Sequence, residues 1–184
     1  MERNSIRDFL GRDRPQVLIS SKEMQERIRE LGEMISRDYA DKVPILVGVL
    51  NGAFIFMADL VRNLTIDCEV DFVKISSYGN AKESSGRIRM LKDLDADIEG
   101  RHVIVVEDIV DSGLSVQWLR RHFESRKPQS LRFVTLLKKK GAAKVAYEVE
   151  YVGFEIPNAF VVGYGLDVAQ RLRNLPDIYV LEDD

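Results

Sequence analysis

Between residues 45 and 137, short apolar runs of strand type alternate with segments of helical periodicity, and that order most narrows the fold available to this chain. Residues 45–50 (ILVGVL) form an apolar strand, Asn51-Gly52 is a turn signal, and AFIFMADLVRNL reads as a helix buried on much of its surface. Residues 69–77 (EVDFVKISS) alternate as a strand with Val70, Phe72 and Lys74 on one face. IRMLKDL returns as the second strand of a hairpin whose long tip, 78–86, is polar and glycine-bounded. RHVIVV at 101–106 is a buried strand, 116–125 a helix and 130–137 a further strand. Repeated strand–helix–strand order predicts an α/β fold, a twisted parallel sheet flanked by helices.

Upstream, Ser20 or Ser21 reads as an N-cap, with Glu23 completing a capping box after Ser20. Met24, Ile28, Leu31 and Ile35 then mark an amphipathic helix from 21 to about 40, ended by Pro44. The short β-type runs VEYVGFEI, AFVVGY and IYVLE predict a small hood lobe, formed mainly by the N-terminal segment and the region after about 145. With no repeat or linker, residues 1–184 read as a single domain.

Composition narrows the function. A net charge of -3 offers no basic surface for nucleic acid or anionic membrane. The lone Cys68 has no intrachain partner, which suits a reducing compartment. MERNSIRDFLGRDRP lacks the apolar core of a signal peptide, and VPILVGVL and AFIFMADLV are too short to span a membrane. The expectation is a soluble, cytoplasmic protein.

The chemistry concentrates in VIVVEDIVDSGLS, residues 103–115. An apolar strand runs into the adjacent acids Glu107 and Asp108, then Asp111, and then a small turn of Ser112, Gly113, Leu114 and Ser115 where a helix begins. Such a turn supplies hydroxyls and oriented N–H donors to a phosphate, reinforced by the positive end of the helix dipole. Glu107 and Asp108 can accept from vicinal hydroxyls, directly or through magnesium. Asp111, nearer the loop mouth, is placed to act as a general base. His102 and His122 fit ordinary packing, and Cys68 has no histidine nearby that would make it a nucleophile.

This segment resembles the phosphoribosyl-pyrophosphate-binding signature of the type I phosphoribosyltransferases. LVGVLNGAFIF, VKISSYGN, ESSGRIRMLKDL, TLLKKK and VGFEIPNAFVVGYGLDVAQRLRNLPDI are similar to the hypoxanthine (hypoxanthine-guanine) branch, in order and spacing, over residues 15 to 182. The resemblance implies transfer of phosphoribose from 5-phosphoribosyl 1-pyrophosphate to hypoxanthine or guanine, giving IMP or GMP and pyrophosphate. It also implies magnesium as cofactor, a homodimer or homotetramer, and a purine-salvage role. A phosphoribosyl-pyrophosphate-sensing transcriptional regulator shares the signature, but should lack the VGFEIP…FVVGYGLD hood present here.

The resemblance also assigns roles. Leu50, Asn51 and Gly52 would bind pyrophosphate through backbone groups, with the peptide before Asn51 cis or able to become cis. Relatives often carry Lys where Asn51 stands, so a backbone role survives here and a charge contact does not. Lys139 would donate to the purine 6-oxo group, Phe160 would stack on the base, and Val161 would offer its backbone to the base edge. Relatives often have Asp where Lys138 stands, so the register rests on the spacing to VGFEIP. Asp167 would ligate magnesium and Arg173 contact pyrophosphate. Tyr78 beside Ser77 would cover the reaction centre as the hairpin closes, with Ser77 holding a phosphate oxygen.

Overall fold

The structure is a computed structural model that describes residues 16–78 and 87–181. In chain order its elements are β1 (Gln16–Ile19), α1 (Ser21–Asp38), β2 (Ile45–Leu50), α2 (Phe54–Arg62), β3 (Glu69–Tyr78), β4 (Arg87–Lys92), β5 (His102–Val110), α3 (Leu114–Glu124), β6 (Ser130–Lys139), β7 (Tyr151–Ile156), β8 (Phe160–Val162) and β9 (Ile178–Leu181). Among the described residues the main sheet runs β4-β3-β2-β5-β6-β7, parallel except for β4, and β1-β9-β8 form a second, antiparallel sheet. The α/β class expected from the alternating pattern is the one observed. No helix among the described residues is long and apolar enough to cross a membrane.

Alternation along the central strands explains the layering. Ile45, Val47, Val103, Val105 and Phe133 pack with Val116, Leu119 and Phe123 of α3 on one face. Leu46, Ile104, Val106 and Val134 pack with Met24, Ile28, Leu31 and Ile35 of α1 and Phe56 and Leu60 of α2 on the other. Each such buried aliphatic or aromatic side chain contributes about 1.5–3 kcal/mol relative to exposure. The capping box at α1 is formed, Ser20 accepting from the Glu23 N–H and Glu23 accepting from the Ser20 N–H at 2.9 Å. The helix ends at Asp38, capped by Tyr39, so Pro44 only introduces β2.

Three expectations need correction. The run VEYVGFEI does not join a hood: β7 extends the main sheet beside β6, and Arg27 of α1 donates to the Val152 and Gly153 carbonyls at 2.9 Å. The second sheet instead gathers β1, β8 and β9, so the hood boundary after about 145 moves beyond Ile156. β3 buries Asp71 and Val73, while Val70 is exposed. Asp71 is inside because its carboxylate accepts from the Asp95 and Ala96 N–H groups, both at 2.9 Å. Finally, β5 does not stop at Val106 but continues through Glu107 and Asp108 to Val110, because β6 pairs with it as far as Val110↔Lys138.

Candidate active site

β2 and β5 are adjacent, yet the chain leaves β2 toward β3 on one side and enters β6 from β5 on the other. That divergence opens a crevice beyond their carboxyl ends, where open α/β sheets bind ligands. The Asn51-Gly52 turn and the Glu107–Asp111 segment meet there. A Cβ on Gly52 would collide with the Asp108 carboxylate, and one on Gly165 would collide with the Gly52 carbonyl. The Leu50–Asn51 peptide is cis. Three segments far apart in sequence are thus held close together, Gly165 against the Gly52 backbone and Gly52 against the Asp108 carboxylate.

Because neighbours on a strand point to opposite faces, the two adjacent acids do not converge. Glu107 lines a cavity of about 90 Å³ with Ile109, Val110, Asp111, Ser112, Gly113, Ser115 and Val116. Asp108 instead faces Gly52 and lies within electrostatic reach of Arg173 and Asp167. Glu107 is buried and its Oε1 has no hydrogen-bond partner, a lone acceptor suited to a ligand hydroxyl or a hydrated cation. Burial, and then the neighbouring Asp108 charge, push its carboxyl well above the usual range.

Burial likewise raises Asp108 to about 6, although its bond from the Ile109 N–H and the Arg173 charge oppose the shift. A carboxyl whose folded pKa is raised favours folding while protonated, and that contribution is lost as pH climbs from 3.8 to about 6. We expect Asp108→Asn, which keeps the acceptor for the Ile109 N–H, to stabilise the ligand-free chain by about 3 kcal/mol near neutral pH. Chemical denaturation of both proteins across this window checks it. A stability gap that stays the same at acid pH would show that ionisation of Asp108 is not its source.

The turn after β5 forms as expected. Gly113 sits at φ +79° as the N-cap of α3, and the Ser112 hydroxyl accepts from the Leu114 N–H at 3.5 Å. The first N–H groups of a helix lack acceptors within it, so they are available to an anion. Tyr147 packs so tightly over Gly113 that any Cβ there would strike its ring, and the Lys144 N–H donates to the Ser112 carbonyl at 3.0 Å. Tyr147 escaped sequence reasoning because nothing in its local pattern marks that contact.

Just past the paired ends of β5 and β6, Lys139 Nζ lies 3.1 Å from Asp111 Oδ2. Lys139 is largely buried, with a side chain 12% exposed, whereas Lys140 is a solvated lysine at 66%. Lys138 and Lys140 both approach Glu155, at 4.0 and 3.8 Å. Phe160 is 47% exposed and so is not a core aromatic, while Val161 is buried. Arg173 pairs with Asp167 at 2.9 Å and donates to the Gly165 carbonyl at 2.7 Å. No three His, Cys, Asp or Glu side chains among the described residues form a metal cage, so Glu107, Asp108 and Asp167 are not one three-ligand centre. Magnesium that keeps waters and substrate oxygens needs only one or two carboxylates, and these residues fit that mode. The hairpin tip, residues 79–86, and the side chains of Ser77 and Tyr78 lie outside what the structure describes.

Comparison with known proteins places this geometry in a class. Residues 18–169 match the phosphoribosyl transferase domain, and the chain belongs to that family. Three similar proteins show the branch it resembles. The hypoxanthine-guanine phosphoribosyltransferase of Bacillus subtilis is 48% identical over 174 residues, covering 95% of this chain and 97% of that protein. The crystal structure of a hypoxanthine phosphoribosyltransferase from Staphylococcus aureus has a TM-score of 0.90 at 39% identity, covering 98% of this chain and 97% of that one. A hypoxanthine-guanine phosphoribosyltransferase from Bacillus anthracis gives 0.88 at 46% identity, covering 92% and 100%.

Proposed function

We propose that the chain is a purine-salvage enzyme that transfers phosphoribose from 5-phosphoribosyl 1-pyrophosphate to hypoxanthine or guanine, releasing pyrophosphate. The observation that carries this reading is the 3.1 Å pairing of Lys139 with Asp111. In a 6-oxopurine, O6 and N7 lie side by side on one edge of the base. A donor and an acceptor held at hydrogen-bond spacing match that edge when N7 carries its proton. Lys139 donates to O6, and Asp111 accepts the N7 proton as the ribosyl bond forms at the opposite nitrogen.

The remaining residues divide the sugar phosphate between them. The turn of Ser112, Gly113, Leu114 and Ser115 holds the 5′-phosphate on the N-terminus of α3. Glu107 and Asp108 serve the ribose hydroxyls and cation, each from its own side of β5. Leu50, Asn51, Gly52 and Arg173 receive the pyrophosphate, and Phe160 with the Val161 backbone holds the base. Asp108 and Asp167 on one side of β5, or Glu107 on the other, would hold magnesium, which would supply charge neutralisation for the departing pyrophosphate. A cytoplasmic location and assembly as a homodimer or homotetramer belong to the same reading.

The test is purified protein with magnesium and phosphoribosyl pyrophosphate, offered hypoxanthine, guanine, xanthine, adenine and uracil. Hypoxanthine or guanine is expected to be consumed and adenine refused, because its 6-amino group presents a donor to a donor. Adenine turnover comparable to hypoxanthine would overturn the base pocket.

A further inference from the structure

Gly163, Tyr164 and Gly165 occupy positive φ in succession, at 99°, 50° and 100°. Glycine adopts this backbone readily; tyrosine rarely does. Tyr164 is nevertheless buried, and its hydroxyl donates to Asp59 Oδ2. Asp59 belongs to the helix that follows the Asn51-Gly52 turn, is itself buried, and is held by Gln25 Nε2 at 2.8 Å and by Arg62. The next residue, Gly165, abuts the Gly52 carbonyl so closely that no side chain fits between them. Its own carbonyl accepts from Arg173 at 2.7 Å, and its N–H donates to the Arg173 carbonyl at 2.9 Å. On the other side, a Cβ on Gly163 would collide with the Asp177 carbonyl.

We propose that Tyr164, locked to Asp59, is a positioning residue that sets the pyrophosphate end of the site. One hydrogen bond joins α2 to the loop between β8 and Arg173. It thereby fixes, together, the Asn51-Gly52 turn, the Arg173 guanidinium and the start of the segment carrying Asp167. A residue kept only for packing would not need a hydroxyl, nor a buried carboxylate aimed at it. Neither Tyr164 nor Asp59 reaches the base edge made by Lys139 and Asp111, so the effect is confined to one substrate. The inference rests on the proposed function, since it presumes that Gly52 and Arg173 meet the pyrophosphate.

The experiment is Tyr164→Phe, which keeps the ring and removes the hydroxyl, together with Asp59→Asn and Asp59→Ala, in full initial-rate analysis. Losing a hydrogen bond to a charged acceptor is expected to raise the KM for phosphoribosyl pyrophosphate by roughly tenfold, and to weaken pyrophosphate inhibition alike. The KM for hypoxanthine stays within about twofold, a split that general loosening of the fold does not produce. Asp59→Asn keeps an acceptor oxygen and falls nearer the parent than Asp59→Ala. Should Tyr164→Phe not fold, the two Asp59 variants decide the question by the same split. A working parent enzyme whose foldable variants leave the phosphoribosyl pyrophosphate KM unchanged, or shift both KM values together, overturns the clamp alone. A parent chain that consumes no phosphoribosyl pyrophosphate overturns the functional reading, and the clamp with it.

Discussion

Replacing Asp111 by Asn is expected to slow the chemical step by about 10²- to 10⁴-fold. Asp111 is exposed, lies beyond the end of β5 and takes no part in either face of the sheet's core, so the fold survives the change. The amide preserves size and can still face Lys139 through its oxygen, but it cannot take the N7 proton. Binding of phosphoribosyl pyrophosphate should therefore change little. The measurement is a single turnover with both substrates bound, because slow product release can hide a loss of chemistry in steady-state rates. An unchanged single-turnover rate removes Asp111 from the role of base.

Stripping magnesium is expected to lower turnover by at least roughly 10³-fold, since a metal ion supplies several kcal/mol of charge stabilisation in such a displacement. The reasoning is electrostatic. The substrate is a polyanion, and the crevice it enters holds Glu107, Asp108 and Asp167, with the Arg173 guanidinium already committed to Asp167. Without a cation, Asp108 and Asp167 meet the pyrophosphate end on one side of β5 and Glu107 meets the sugar on the other, in a partly desolvated space where repulsion is poorly screened. Excess chelator should abolish activity, and restored magnesium should recover it. Full activity in chelator contradicts the assignment.

Much of this was legible in the residues because local signals agreed with the global fold. Ser20 and Glu23 announce α1, and the apolar runs at 45–50 and 103–106 announce the central strands. The turn at Gly113 follows from its place between a strand and a helix. What stayed hidden depends on partners distant in sequence. β1 is four residues whose partner β9 lies at the other end of the chain, so no local periodicity reveals it. The continuation of β5 through two acids, and the transfer of β7 to the main sheet, are decided by the neighbouring strand β6. Nothing in the local pattern marks Asp71 and Asp59 as buried, because the backbone amides and the tyrosine hydroxyl that donate to them lie far along the chain. The pair of glycines around Tyr164 was the available clue to a close backbone approach.

The ladder between β5 and β6 has a consequence for how base selectivity can change. Three lysines stand in a row, and any of them could satisfy a 6-oxo group chemically. Pairing of Val110 with Lys138 decides that the following residues, Asp111 and Lys139, face one another. A slip of one position would turn the side chains of β6 to the opposite face and carry Lys139 away from the acid. If Lys139 reads the 6-oxo group as proposed, the selecting element is an alignment of two backbones rather than a residue type. Point substitutions at Lys138 or Lys140 should be tolerated there, whereas a single insertion or deletion within β6, between the buried Phe133 and Lys139, would re-index the pocket and erase the oxo-group preference proposed for it.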